Sequence, residues 1–317
     1  MSITDKLSGR DAPRAPAAIG WRERLQEALP KIVLAPSFAV TLIFVYGFIV
    51  WTVYLSFTGS KMFPSYDIVG WQSYQRLWTW TFETDPPSSW YTAVVNMGIF
   101  GSLYISICIA LGLLIAILLD QKIRGEGILR PIYLYPMALS FIVTGTAWKW
   151  FLDPGIGLEQ TMHAIGWESF HFDWIKNKDF VIYTVVIAGV WQASGFVMAM
   201  FLAGLRGIDG EIMKAAQIDG ASTAQLYRRI IIPLLRPVFL SAFIVLAHMA
   251  IKSYDLVVAL TSGGPGGAAE LPSTFMYSYT FSRNQMAVGS ASAVIMLMTI
   301  SAIIVPYLYS ELKEKAR

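Results

Sequence analysis

The sequence is short of charge and of reactive side chains. Only 14% of its residues are Asp, Glu, Lys or Arg, against about 25% in an ordinary soluble domain. It holds one cysteine, Cys108, inside an apolar run, so neither an internal disulfide framework nor a cysteine-based metal site can form. Three histidines, His163, His171 and His248, show no HxxxH or HxH spacing, and no metal site is expected from them. No GxxxxGK[ST] motif occurs, which excludes phosphate binding in the P-loop manner. The N-terminal stretch lacks the short apolar core and small-residue exit of a cleavable signal. Met1–Lys31 therefore reads as a polar cytoplasmic tail, in which Trp21–Lys31 is either a short amphipathic helix along the membrane or a plain solvated leader.

What is present in quantity is apolar surface. Hydrophobic residues make up 55% of the chain and its mean hydropathy is +0.53, which places it in the membrane class. A bilayer-crossing helix needs about 20 mostly apolar residues. Six runs qualify: Ile32–Phe57, Ala93–Leu119, Pro131–Leu152, Phe180–Leu205, Pro237–Leu260 and Met286–Tyr309. They are continuous rather than alternating, so an all-α protein with six transmembrane helices is expected, not a barrel. Most of the 24 Lys and Arg residues fall in the N-tail, the second and fourth connections and the C-terminus. By the positive-inside rule both termini lie in the cytoplasm. Trp71, Trp78, Trp80, Trp90, Trp167 and Trp174 fall in the opposite connections and read as an aromatic belt at the outer interface.

Three kinds of residue inside the spans bear on solute passage. Polar groups there are costly and turn inward. The candidates are Ser140, Thr144 and Trp148 in the third run, Trp191, Gln192, Ser194 and Gly195 in the fourth, and His248, Lys252, Ser253, Tyr254 and Asp255 in the fifth. Ser140 and Thr144 have an ordinary alternative in back-bonding to a carbonyl, and Lys252 and Asp255 have one in pairing at i, i+3. Asn96 reads as an interhelical hydrogen bond. Gly98, Gly101 and Gly112 suggest close helix contact.

The connection between runs four and five is unlike the others. Glu211, Lys214, Ala215 and Ala216 stand in a helix-forming stretch. Asp219-Gly220 then interrupts it, and helical propensity resumes from Ala221 to Ile232, ahead of Pro233. Helix, corner, helix is the expected product, with Asp219 suited to capping and Gly220 to positive φ.

The stretch KAAQIDGASTAQLYRRIIIPLLRP resembles the EAA loop of permease subunits of bacterial ATP-binding-cassette importers. It matches at Ala215, Ala216, Asp219, Gly220, Ala221, Ile230 and Pro233, and departs where Lys214 replaces Glu and Ile232 replaces Leu. Glu211, one turn earlier, is on the face to compensate. After the fifth run, Thr261, Gly263, Gly264 and Pro265 are similar to the T-x-G-G-P of sugar permeases, nearest to the maltose and alpha-glucoside group. The resemblance implies a type I importer permease, with a six-span domain over residues 32–311, a coupling loop over 206–236 and a short cytoplasmic tail over 312–317. It implies half of a pathway for a sugar in the bacterial cytoplasmic membrane. It also implies a second homologous permease, two ATPase subunits holding the ATP and Mg, and an external sugar-binding protein. The chain itself would be non-catalytic and bind no cofactor. A sugar-binding region is implied around Met137–Ser140, Trp191–Gly195 and Ala250–Tyr254. The alternatives are a same-superfamily permease for a non-sugar solute and an ion-coupled carrier, which would show internal repeats and broken spans.

Overall fold

The computed structural model describes residues 21–82, 89–121 and 125–315. The expected N-tail up to Gly20, the charges Lys122 and Arg124, and Arg317 lie outside those residues. The chain divides into two units, one ending at Trp51 and the other running from Thr52 to Arg317.

In the first unit, helix α1 (Trp21–Thr41) passes through a π turn at Leu42–Tyr46 into α2 (Gly47–Ser56). No boundary separates an interfacial helix over Trp21–Lys31 from the first span, because Pro30 and Pro36 are both accommodated inside α1. Leu29–Ser56 is long and apolar enough to cross a membrane.

The second unit is built from helices joined by loops, with one isolated bridge between Thr58 and Ile68 among its described residues. Short α3 (Gln72–Phe82) precedes α4 (Ser89–Asp120). Next come α5 (Glu126–Ala138), α6 (Phe141–Phe151), α7 (Leu158–Ala164) and α8 (Val181–Arg206). The corner is built from α9 (Gly210–Ile218), α10 (Thr223–Leu226), a π turn and α11 (Ile232–Leu234). Then follow α12 (Arg236–Ile251), α13 (Tyr254–Thr261), α14 (Pro272–Tyr277) and α15 (Met286–Lys315).

Among the described residues four helices are long and apolar enough to span alone, and up to six spans result when each bent pair is taken as one. The third run is not one rod. It breaks by 100° between α5 and α6, where Leu139 is extended and Ser140 caps α6 by accepting from the Val143 N–H at 3.3 Å. A second bend, of 62°, separates α11 from α12, so Pro233 sits inside a helical turn and the break falls at Leu235. The fifth run is interrupted once more, at Lys252 and Ser253 between α12 and α13. The last helix continues past the expected Tyr309 to Lys315.

Helix α8 is the hub. Its Val185, Val197, Met198, Phe201 and Leu202 are buried in a core shared with Phe100, Tyr104 and Cys108 of α4 and with Leu246 and Leu256 of α12 and α13. At about 25 cal/mol per Å² of apolar surface, side chains of this size each contribute about 1.5–3 kcal/mol when fully covered by protein rather than water, but a lipid reference removes most of that gain, so tight packing must hold spans together. Glycine supplies it selectively. A Cβ on Gly112 would lie 2.6 Å from Val197 Cγ1, and one on Gly145 would lie 2.7 Å from Ala259 Cβ, whereas Gly98 has nothing within 4 Å and Gly101 meets only its own-helix neighbour Met97. Of the expected contact glycines in α4, only Gly112 therefore makes a close approach to another helix.

A second core joins α3, α4, α14 and α15 through Leu77, Trp90, Ala93, Phe275, Tyr279 and Val288. Trp90 is buried edge-on against Phe275 at 5.0 Å. It packs this core instead of joining an aromatic belt, while Trp71, Trp78 and Trp167 are exposed.

Candidate functional site

The corner is closed by its own backbone. Asp209 caps the start of α9, its Oδ1 accepting from Glu211 N–H at 2.9 Å. At the other end the Gly220 N–H donates to Gln217 O and the Ala221 N–H to Ala216 O, at 3.1 and 3.0 Å. Gly220 holds φ at 80°. These two bonds with a left-handed residue form a Schellman motif. Ser222 then opens α10 in a capping box: its Oγ accepts from Gln225 N–H at 3.4 Å and Gln225 Oε1 accepts from Ser222 N–H at 2.9 Å. The N-cap is Ser222, and Asp219 is the C-cap of α9, the reverse of the expected assignment. Four residues, Asp219 to Ser222, thus suffice to end one helix and start another.

The corner is seated on one side and bare on the other. Ala216 and Leu226 are buried in the main core, with Met213 packed beside them. Glu211, Lys214, Ala215, Asp219 and Gly220 are exposed, and Ala221 is half-buried. Ile218 is 86% exposed. Sequence reasoning passed over it because an isolated isoleucine in a helical stretch reads as core. Below the corner, Arg206 at the end of α8 reaches Glu126 of α5 at 2.5 Å and Asp120 of α4 at 3.9 Å. These links tie three helix ends together.

The candidate path residues fall into two groups. Gln192 is 3% exposed, and its Nε2 donates to Leu139 O at 2.9 Å. It satisfies a carbonyl released where α5 stops, so a neighbouring helix compensates the broken span. Gly195 is buried because a Cβ there would fall 1.8 Å from Tyr133 O. α8 and α5 meet backbone to backbone at this point. Thr144 is fully buried, and its Oγ1 has no hydrogen-bond partner. It does not back-bond, whereas Thr146 does, donating to Ile142 O at 2.9 Å. Ser253 is buried and donates to Met249 O at 2.9 Å.

The second group is accessible. Met137, Ser140, Trp191, His248, Lys252 and Asp255 are exposed, with Ser194 and Tyr254 half-buried. Trp191 meets Trp148 edge-on at 5.8 Å. Among the described residues no ion pair joins Lys252 and Asp255. The helix break at Ser253 removes the regular i, i+3 geometry on which that pairing relied. Tyr254 stacks obliquely on Tyr277 at 4.8 Å beside a cavity of about 410 Å³ that also reaches Ser262, Glu270 and Arg283. Burial pushes the Glu270 carboxyl up to about 7, with Arg283 and a hydrogen bond to Ser89 pulling the other way. Asn96 supports this wall: its Nδ2 donates to Ala268 O at 2.7 Å and Glu270 O at 2.9 Å. It anchors a loop, not a neighbouring helix. Glu159 and His163 of α7 and His171 of the segment that follows it also come together before α8.

In the second unit, bent and straight spans packed on α8, with a helical corner between α8 and α12, form the fold of an ATP-binding-cassette importer permease. The chain matches a crystallised bacterial ABC transporter involved in the import of the acidic polysaccharide alginate with a TM-score of 0.77, over 92% of this chain and 98% of that one, at 17% identity. Residues 108–314 match the family described as binding-protein-dependent transport system inner membrane component. Relatives span nearly the whole length. A probable ABC transporter permease protein of Pyrococcus horikoshii is 40% identical over 91% of this chain and 98% of its own. The xylose/arabinose import permease protein of Haloferax volcanii is 31% identical, covering 94% of each. The trehalose/maltose transport system permease protein of Thermococcus litoralis is 29% identical over 88% of this chain and 92% of its own. The chain belongs to this family of binding-protein-dependent membrane components and is an ABC importer permease subunit. Membership decides against the self-sufficient ion-coupled carrier, although broken spans are present.

Proposed function

We propose that the chain forms one half of the translocation pathway of an ATP-driven sugar importer, with an alpha-glucoside or oligosaccharide as cargo. The corner at Asp219-Gly220-Ala221 couples it to a cytoplasmic ATPase. Glu211, Lys214, Ala215 and Ala216 complete that coupling element. The observation that carries the coupling role is the corner's build. Its backbone polar groups are satisfied internally, yet it presents a bare apolar side chain, Ile218, flanked by small residues.

In this reading the assembly contains a second homologous permease, two ATPase subunits carrying ATP and Mg, and an external sugar-binding protein. It sits in the cytoplasmic membrane with both of this chain's termini inside. This chain binds no nucleotide and catalyses nothing. Closure of the ATPase pair moves the corner, and the spans above it switch between two packed arrangements. The names of the pentose and disaccharide permeases among the relatives support a sugar as cargo.

For the path, Met137, Ser140, Trp191, Ser194, Lys252, Tyr254 and Asp255 are the groups a sugar can reach. Thr144, Gln192, Gly195 and Ser253 shape the walls behind them. Tagged chain expressed with its ATPase should retain that partner through purification. Asp219→Arg and Ile218→Glu should abolish the association while leaving the permease folded. Full assembly and full sugar uptake with both changes would overturn the docking role.

A further inference from the structure

The loop between α6 and α8 carries three side chains that neither the corner nor the path uses. Glu159 and His163 stand four residues apart on α7 and leave the same face of the helix. The chain then reverses at Gly166, where φ is 100°, and returns through Phe170. This brings the ring of His171 edge-on to that of His163, with centroids 6.0 Å apart. One ligand atom from each of Glu159, His163 and His171 lies within 4.8 Å of the other two.

The outer contacts of this trio are already arranged. His163 Nε2 lies 2.8 Å from Phe170 O. A carbonyl only accepts, so Nε2 carries the proton and Nδ1 keeps its lone pair. Glu159 Oε2 accepts the Phe172 N–H at 3.0 Å, while Oε1 lies 3.2 Å from His171 Nδ1. Backbone groups that hold the far side of a ligating histidine and carboxylate are what fixes tautomer and orientation in metal sites. The Glu159 side chain is 14% exposed and that of His171 is 76% exposed. Glu159 and His163 are thus each held by a backbone group, and the exposed His171 by side chains alone.

We propose that Glu159, His163 and His171 form a binding site for one divalent transition-metal ion of the Zn²⁺ type. The donor set is two imidazole nitrogens and one carboxylate oxygen, the set that Zn²⁺ takes with a fourth position left for water or a partner's side chain. The ion takes the place of the hydrogen bond now joining Glu159 Oε1 and His171 Nδ1. Rotation of His171 lets the three ligand atoms surround one metal position at the Zn–N distance of about 2.0–2.1 Å. Bound metal staples α7 to the returning Phe170–Phe172 segment and stiffens the loop that leads into α8.

The test uses the full chain, purified with a tag free of histidine, and Zn²⁺ or Co²⁺ alone as probe. Calorimetry should find one Zn²⁺ per chain, and Co²⁺ should give the intense visible bands of four-coordinate geometry. Glu159→Gln and His163→Asn should each weaken binding by more than the roughly 10–100-fold that loss of an outer partner costs. His248→Asn, outside the trio, should leave Zn²⁺ binding unaltered. The absence of saturable binding, or binding that is equal in the His163→Asn/His171→Asn double variant, would overturn the proposal.

Discussion

Gly220→Ala isolates backbone conformation from every other effect at the corner. A Cβ built on Gly220 meets nothing within 4 Å, so the methyl group causes no clash. The whole penalty comes from holding φ at 80°, which costs an L-residue about 1–2 kcal/mol. The corner is a local structure with its own opening equilibrium, and a loss of that size multiplies its open population by about 5–30. The two bonds of the Schellman motif, from the Gly220 and Ala221 amides, should report it directly. Hydrogen exchange at position 221 should accelerate by the same factor, and capture of the ATPase should weaken in step. Asn tolerates left-handed geometry better, so Gly220→Asn should lie between the alanine variant and the parent. Gly210→Ala is the control, because Gly210 is equally uncrowded and has no positive φ. If Gly220→Ala and Gly210→Ala exchange at the same rate, the conformational account of the corner is wrong.

Two further outcomes follow from the packing and from the cavity beside Tyr254. Gly195→Ala should abolish stable folding in detergent, because its Cβ would sit 1.8 Å from Tyr133 O with no flexible side chain to yield. Gly98→Ala, with open space around it, should leave the melting temperature unchanged or slightly raised, and a stable Gly195→Ala protein would show that α5 and α8 do not meet as described. Glu270 is held at about 7 against an ordinary 4.5. The folded chain therefore favours the protonated carboxyl. That contribution is complete below about pH 4.5 and is lost as pH rises through about 7. Thermal stability measured across this window should fall with pH, and Glu270→Gln should flatten the slope. An unaltered slope would remove Glu270 as its source.

Much of this architecture is legible from residue order, and the failures have definite causes. The apolar runs locate the spans because length and hydropathy are properties of a segment by itself. Asp219-Gly220 locates the corner because positive φ is a local demand. The 100° break at Leu139 and Ser140 is hidden in a continuous apolar run, since a serine in a span reads equally as a cap or as a back-bonded interior residue. Gln192 read as a contact for solute, but its amide serves a carbonyl of Leu139, 53 residues away. Only the fold brings those two together. Gly98 and Gly112 are indistinguishable as letters, and just one of them faces Val197. The trio in the α6–α8 loop escaped a search for paired histidines because its helical partner is a glutamate and its second histidine arrives after a reversal at Gly166.

The joint between α5 and α8 has a mechanical consequence. Gly195 locks the two helices at van der Waals distance, and the Gln192 amide bolts one to the loose end of the other. Sliding either past its mate would strip a carbonyl of its donor inside a water-free interior, at a penalty of about 1–3 kcal/mol. The joint therefore resists any relative slide of α5 and α8 and holds them as one packed unit.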